Sequence, residues 1–126
     1  MQGSGIDAPI NETGRAQAKA FFEAYQNITF DQVYHTALIR TRQSIESFIS
    51  KGIPTTALPE LNEISWGDYE GTPMTPEEGE YYKHMLHQWQ MGNLDYAIAG
   101  GEAQTWWLKE CEKEFRKFWT APEKLF

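Results

Sequence analysis

The feature that most constrains the fold is a strand–helix–strand pattern in residues 29–61. Residues 29–36 (TFDQVYHT) hold side chains that favour β-structure and predict a short strand. Apolar residues at helical spacing predict a helix over residues 37–50, which Gly52 ends, and a second extended run covers residues 55–61. Two strands joined by a helix in so short a stretch are typical of a βαβ unit, which pairs its strands in parallel with a right-handed crossover.

A helical pattern precedes this unit. Asn11 is a suitable N-cap for a helix over residues 12–26, while residues 1–10 lack periodicity and predict a loop. The apolar face predicted for this helix consists of Ala16, Ala20, Phe21, Ala24 and Tyr25.

Two helical patterns follow the unit. Residues 75–78 (TPEE) form a capping box with proline at the first helical position, and this helix should end near Met91 with Met85 and Trp89 facing inward. A last helix follows residues 100–101 (GG) and ends near residue 119. Its predicted apolar stripe consists of Trp107, Cys111, Phe115 and Phe118, widened by Trp106.

These elements predict one α/β domain over residues 1–126. Apolar residues make up 40% of the chain and aromatic residues 14%, which is typical of a folded core rather than a disordered segment. Two strands alone make a poor sheet, because parallel sheets are normally covered on both faces and contain more strands. We therefore expect further strands to come from another chain or from a longer version of this one.

The charge balance argues against one class of partner. Eleven basic and eighteen acidic residues give a net charge of −7, which does not suit a general nucleic-acid binder. The apolar runs are too short to span a bilayer and no secretion leader is visible, so we expect a cytoplasmic protein with no membrane partner. A single cysteine, Cys111, excludes an internal disulfide. No Gly-rich nucleotide loop occurs, and we expect no cofactor.

Arg40 lies just after the first predicted strand, in HTALIRTRQS (residues 35–44). Open α/β sheets bind ligands at the carboxyl ends of their strands. An arginine there, with free helix amides nearby, suits a phosphate or carboxylate through bidentate hydrogen bonds. The alternative is that Arg40 and Arg42 are ordinary exposed helix residues.

Glu63 follows the second predicted strand, in LNEISWGDYEG (residues 61–71). This strand end should lie beside the first one, across the sheet. A carboxyl group there could act as a general acid if it were buried enough to remain protonated near neutral pH. The alternative is that Glu63 caps a turn or pairs with an arginine.

Other chemistry-bearing residues carry weaker signals. His84 and His87 lie three residues apart on a predicted helix, a spacing that a metal pair can use, but surface positions are the commoner case and we predict no metal site. Cys111 on its apolar stripe indicates a small buried packing residue rather than a nucleophile.

Several stretches, in order along the chain, resemble the histidine phosphatase superfamily in its phosphoglycerate mutase-like branch. They are QG (residues 2–3), DAPINETG (7–14), QA (17–18), FDQVYHTALIR (30–40), LNE (61–63), Gly67, EG (70–71) and GGE (100–102). The resemblance implies a three-layer α/β/α fold, here incomplete, with a reduced and mainly parallel sheet flanked by helices. It also implies action on small phosphomonoesters through a phosphohistidine.

The resemblance implies roles for particular residues. Arg40 matches the arginine that binds the phosphoryl group, and Glu63 matches the usual proton donor. Gln2 and Gly3 match a segment near the substrate.

Two family motifs have no counterpart in the 126 residues. The nucleophilic histidine of the family lies in an Arg-His-Gly motif on a first strand, and a second catalytic histidine follows on a late strand. None of His35, His84 and His87 is followed by glycine or sits at a matching position. We therefore expect the chain to be truncated at both ends and to form no phosphohistidine itself.

Two functions remain open from the sequence. In the first, a full-length parent hydrolyses or transfers the phosphoryl group of a small phosphorylated substrate. In the second, the chain is a non-catalytic remnant that binds a partner or a second copy of itself through uncovered strand edges and the tryptophan-rich last helix.

Overall fold

A computed structural model describes residues 1–119 of the chain, with side chains up to residue 117. The chain divides into two compact units. One is Asp7–Asn62, and the other combines Met1–Ile6 with the described residues from Glu63 onward.

The unit Asp7–Asn62 contains the predicted βαβ pattern. In chain order its elements are helix α1 (Glu12–Tyr25), strand β1 (Val33–His35), helices α2 (Ile39–Ser44) and α3 (Glu46–Ser50), strand β2 (Thr55–Ala57) and a 3-10 turn (Pro59–Leu61). The strands pair in parallel, with Tyr34 opposite Thr56. The predicted parallel pairing is confirmed, although each strand is shorter than its apolar run suggested.

The helix predicted over residues 37–50 is interrupted. Ile45 leaves helical geometry at φ −120°, and this separates α2 from α3. Just before the break, the hydroxyl of Ser44 donates to the backbone oxygen of Arg40 at 2.8 Å, a bond that competes with the helix ladder and bends helices. Gly52 ends the segment as predicted, with φ +94°.

The core of this unit forms around Phe48, which is buried. The rings of Phe21, Phe22 and Phe30 meet it edge-on, with centroids 5.0–6.0 Å away. Such aromatic pairs add to the stability that burial alone provides.

The apolar face predicted for α1 is wrong in its orientation. All five of its residues are exposed, and the half-buried positions of the helix are Gly14, Ala18 and Phe22. Helices α2 and α3 contact α1, and the small residues at positions 14 and 18 allow close approach on that side. The predicted N-cap is confirmed, because Asn11 Oδ1 accepts from the Gly14 amide at 2.8 Å.

The other unit contains a 3-10 turn (Gly67–Tyr69) and helices α4 (Pro76–Gln90) and α5 (Gln104–Trp119). The capping box of α4 is confirmed in both directions. Thr75 Oγ1 accepts from the Glu78 amide at 3.2 Å, and Glu78 Oε2 accepts from the Thr75 amide at 2.8 Å. Met85 is fully buried, as its position on the apolar stripe predicted.

Of the described positions in the apolar stripe predicted for α5, Trp107 and Cys111 face inward and the others do not. Cys111 is buried and Trp107 half-buried, but Trp106 and Phe115 are more than half exposed. The buried face continues at Glu114, whose side chain is 3% exposed and pairs with Lys117. The predicted stripe position Phe118 lies outside the residues whose side chains the structure describes.

These elements confirm the α/β class with a small parallel sheet and flanking helices. Within residues 1–119, no helix combines the length and the apolar character that crossing a membrane requires.

Candidate functional site

The loop between β1 and α2 leads directly into Arg40, the second residue of α2, and the loop backbone is held by three side-chain oxygens. The Ala37 amide donates to Asn62 Oδ1 at 2.9 Å, and the Leu38 amide donates to Thr36 Oγ1 at 3.2 Å. The Ile39 amide, at the start of α2, donates to Asp7 Oδ1 at 2.7 Å.

These bonds correct one expectation from the sequence, that free amides beside Arg40 would help to bind an anion. The amides of Ala37, Leu38 and Ile39 all have side-chain acceptors. Arg40, which is half-buried, supplies a cation next to this loop. Arg42, on the same short helix, is exposed.

Asp7 and Asn62 were not selected from the sequence as site residues. Both are short Asx side chains, one at the end of the N-terminal loop and one just after a 3-10 turn, positions where such residues often accept backbone hydrogen bonds. That signal could have marked them as backbone acceptors, but their partners lie 32 and 25 residues away along the chain.

Glu63 is exposed rather than buried. Its Oε1 accepts a hydrogen bond from the indole Nε1 of Trp66 at 3.1 Å. The Trp66 ring stacks on Trp89 with centroids 6.1 Å apart and meets Tyr82 edge-on at 5.6 Å. The carboxylate is thus oriented by an aromatic donor that is itself packed on two neighbours, but the described residues of this chain do not bury it. The burial that a general acid needs would therefore come from the rest of the whole protein or from bound substrate.

The N-terminal loop packs against the turn that follows Glu63. The Ser4 amide donates to the Ile64 oxygen at 3.4 Å, and the Gly71 amide donates to the Met1 oxygen at 3.0 Å. Gly3 is buried, and a β-carbon on it would overlap Glu70 Oε1 and lie 2.8 Å from Trp66 Cδ1. Gln2, the neighbouring predicted site residue, is exposed.

The loop before α5 closes on the same turn. The Ser65 amide donates to Glu102 Oε2 at 2.8 Å, and the Glu102 amide donates back to the Ser65 oxygen at 2.9 Å. Gly67 adopts φ +55°, and a β-carbon there would overlap the Ala99 oxygen and the Gly101 nitrogen. Only glycine fits this position, because both the backbone angle and the contact exclude a side chain.

The structure therefore places the predicted site residues in two settings. Gly3 and Glu63 both lie beside Trp66 in one compact unit. Arg40 belongs to the unit Asp7–Asn62.

The structure also shows the surroundings of the weaker candidates, His84, His87 and Cys111. His84 and His87 are exposed on α4, and the His84 ring meets Tyr96 with centroids 5.5 Å apart. Across residues 1–119, no three His, Cys, Asp or Glu side chains are grouped so that they could hold a metal ion. Burial raises the pKa of the Cys111 thiol, which suits a packing residue rather than a nucleophile.

The sequence model of the histidine phosphatase superfamily (branch 1) matches residues 1–122. The chain belongs to the histidine phosphatase superfamily. Among curated proteins, the fructose-2,6-bisphosphatase TIGAR of Xenopus laevis is 35% identical over 123 residues, which cover 94% of this chain and 42% of that protein. The adenosylcobalamin/alpha-ribazole phosphatase of Salmonella typhimurium is 33% identical over 86 residues, 65% of this chain and 43% of that protein. The chain thus spans less than half the length of these two relatives.

Solved structures confirm the phosphoglycerate mutase-like fold class. The mycobacterial glucosyl-3-phosphoglycerate phosphatase matches with a TM-score of 0.76 at 21% identity, over 98% of this chain and 57% of that one. The alpha-ribazole phosphatase from Shigella flexneri matches with a TM-score of 0.72 at 21% identity, over 98% of this chain and 60% of that one. At 21% identity, these matches show that the chain shares the fold of the solved structures.

Proposed function

We propose that this chain is the phosphate-binding and proton-donating part of a phosphatase that acts on small phosphomonoesters. Arg40 binds the phosphoryl group, Glu63 donates the proton to the leaving oxygen, and the loop of Gln2 and Gly3 lies near the substrate. A reducing compartment such as the cytoplasm suits the single buried thiol.

The observation that carries this proposal is the anchoring of the backbone that leads into Arg40. Three successive amides before that residue bond to side chains, so the backbone under the guanidinium is held in place. A preorganised cation stabilises developing phosphoryl charge better than a mobile one, because it needs no reorganisation when the charge appears.

In this mechanism a histidine of the whole protein attacks phosphorus, forming a P–N bond as the P–O ester bond breaks. Arg40 stabilises the negative phosphoryl oxygens, and Glu63 transfers its proton to the departing alkoxide. Water then attacks the phosphohistidine, forming a P–O bond as the P–N bond breaks. Inorganic phosphate leaves, the histidine is released, and Glu63 regains a proton from that water. The three histidines of the chain are not assigned the nucleophile's role, because none is followed by glycine.

The phosphate-binding role is tested by titrating the 126-residue chain with inorganic phosphate and following 31P line broadening. Arg40→Ala should weaken binding about tenfold or more, since a charge-assisted hydrogen bond contributes roughly 1.5–3 kcal/mol. Arg42→Ala is the matched control, and it should leave the affinity within about twofold, because an exposed charge acts weakly through solvent. Equal losses in the two variants would remove Arg40 from its role.

The nucleophile is tested at the level of the gene. A strand ending in Arg-His-Gly in the reading frame upstream of codon 1 would supply that nucleophile and support the proposal. A complete protein with this strand should lose turnover on a generic phosphomonoester by several powers of ten in Arg40→Ala, and unchanged hydrolysis would contradict the assignment.

A second candidate, self-association, rests on the exposure of large apolar side chains. Phe21, Tyr25 and Phe30 are exposed in one unit, and Trp106 and Phe115 in the other. Exposed apolar clusters mark interaction surfaces. Sedimentation at micromolar concentration tests this candidate directly, and a well-folded monomer would exclude it.

A further inference from the structure

The carboxylate of Glu70 lies between two segments that are distant in sequence. On one side, its Oε1 accepts a hydrogen bond from the Trp66 amide at 2.8 Å. On the other side it faces the N-terminal loop, where a β-carbon on Gly3 would overlap Oε1 and one on Gly5 would overlap Oε2. Both carboxylate oxygens therefore sit against glycine backbone, in space that any larger residue would occupy.

Trp66 connects Glu70 to Glu63, the proposed proton donor. Its amide is bound by Glu70, and its indole Nε1 donates to Glu63 Oε1 at 3.1 Å. The Trp66 ring is packed between the rings of Tyr82 and Trp89, which restricts its movement relative to its own backbone. A displacement of Glu70 would therefore be transmitted to Glu63 through Trp66.

We propose that Glu70 is a positioning residue that couples the loop of residues 2–5 to Glu63 through Trp66. The inference rests on the proposed function, in which Glu63 is the proton donor and the loop lies near the substrate. In that setting, substrate contact with the loop and the orientation of the proton donor are linked by one carboxylate. The simpler alternative is that Glu70 only satisfies the Trp66 amide four residues earlier and stabilises the turn.

The glycines of the loop allow the two possibilities to be separated. The three atoms nearest to a β-carbon on Gly5 all belong to the Glu70 carboxyl group. The backbone angle of Gly5 is not in the left-handed region, so Gly5→Ala is compatible with the chain path. An effect of Gly5→Ala on Trp66 would therefore travel through Glu70. Gly3→Ala is less informative, because its β-carbon would also contact the Trp66 ring directly.

The experiment records 15N–1H spectra and hydrogen exchange of the 126-residue chain, with the Trp66 indole signal assigned from Trp66→Phe. We expect Gly5→Ala to move the Trp66 amide and indole signals in the direction that Glu70→Ala moves them, and to speed exchange of that amide about tenfold. Gly79→Ala is the matched control, since its β-carbon would lie at an ordinary 3.6 Å from Met74 Sδ. This control should leave both Trp66 signals unchanged.

Glu70→Gln provides a second route if Glu70→Ala does not fold. The glutamine keeps an acceptor oxygen but replaces the other by an amide group, so the Trp66 amide should stay protected while the indole signal shifts. Wild-type indole signals in both Gly5→Ala and Glu70→Gln would overturn the coupling and leave Glu70 as a turn-stabilising residue. The proposed function fails separately, if Glu63→Gln leaves turnover of the complete protein unchanged while the Trp66 signals respond as described.

Discussion

Asp7 Oδ1 accepts a hydrogen bond from the backbone N–H of Ile39 at 2.7 Å, although the two residues lie 32 positions apart. Ile39 is the first residue of α2, and Leu38 at the N-cap position makes no side-chain capping bond. Asp7 therefore serves as a cap supplied from outside the helix. The bond ties residue 7 to the helix that carries Arg40, within the unit Asp7–Asn62.

Removing this cap should lower the stability of the fold. We expect Asp7→Ala to reduce the free energy of unfolding by about 1 kcal/mol, the usual effect of losing an N-cap acceptor. Urea denaturation measures the change, as a shift of the midpoint at constant slope. Asp31→Ala, which removes another exposed carboxylate of the same unit, is the control. Similar shifts in both variants would show that the bond to Ile39 contributes nothing measurable.

The capping box of α4 offers a test in the other unit. Thr75→Ala removes the acceptor for the Glu78 amide, and we expect a loss of about 1 kcal/mol in the free energy of unfolding. Thr72→Ala changes a nearby exposed threonine outside the helix and should shift stability by less than about 0.5 kcal/mol. Equal urea midpoints for Thr75→Ala and Thr72→Ala would contradict the prediction.

Met85 should account for a large share of the packing stability around α4. Its side chain is fully buried, so Met85→Ala should cost about 2–5 kcal/mol through lost apolar burial and the cavity left behind. Met91 is 70% exposed, and Met91→Ala should cost less than about 0.5 kcal/mol. Thermal and urea unfolding of the two variants compare the positions directly. A small effect at Met85 would mean that its surroundings collapse to fill the space.

Alanine substitutions at Gly67 and Gly52 distinguish the energetic cost of backbone strain from the cost of steric overlap. Both have positive φ, but a β-carbon on Gly67 would overlap backbone atoms, whereas one on Gly52 meets nothing within 4 Å. Gly52→Ala should cost about 1 kcal/mol from strain alone, and Gly67→Ala should cost at least about 1–3 kcal/mol more because backbone must move. Equal costs would show that the turn at Gly67 yields without penalty.

The buried thiol of Cys111 makes reactivity and stability depend on pH. Burial raises the pKa of the thiol, so at a given pH the folded chain holds less thiolate than the unfolded chain. Alkylation by iodoacetamide at pH 8 should therefore be slow in buffer and fast in urea. As the pH rises through the ordinary thiol range, the unfolded chain releases a proton that the folded chain keeps, and the free energy of unfolding falls. Cys111→Ala should abolish that part of the pH dependence.

The site was predictable in part. Arg40 and Glu63 follow two strands whose parallel pairing the local pattern predicts, and that pairing is present. The exposure of Glu63 and the occupation of the amides before Arg40 were missed. Both depend on partners that come from other elements or from aromatic packing, and no local pattern specifies them.

Glu70 was visible in the sequence only as part of a family motif. Its contact with Gly3 and Gly5 joins segments more than sixty residues apart, and such a contact has no spacing signal. The glycines themselves looked like ordinary loop residues, because the requirement for a missing side chain appears only once the opposing carboxylate is in place.

By itself, the sequence determined the features whose physics is local. Asn11 and Thr75 mark helix starts because their acceptors are three residues from the donors. The βαβ order follows from propensity and periodicity, and membership of the histidine phosphatase superfamily follows from ordered motifs. Tertiary structure alone decided which side of α1 faces inward, why Glu114 is buried, and how Asp7 and Glu70 reach their partners. Those outcomes depend on which surfaces meet in space, and burial and hydrogen bonding between distant segments are set only when the chain has folded.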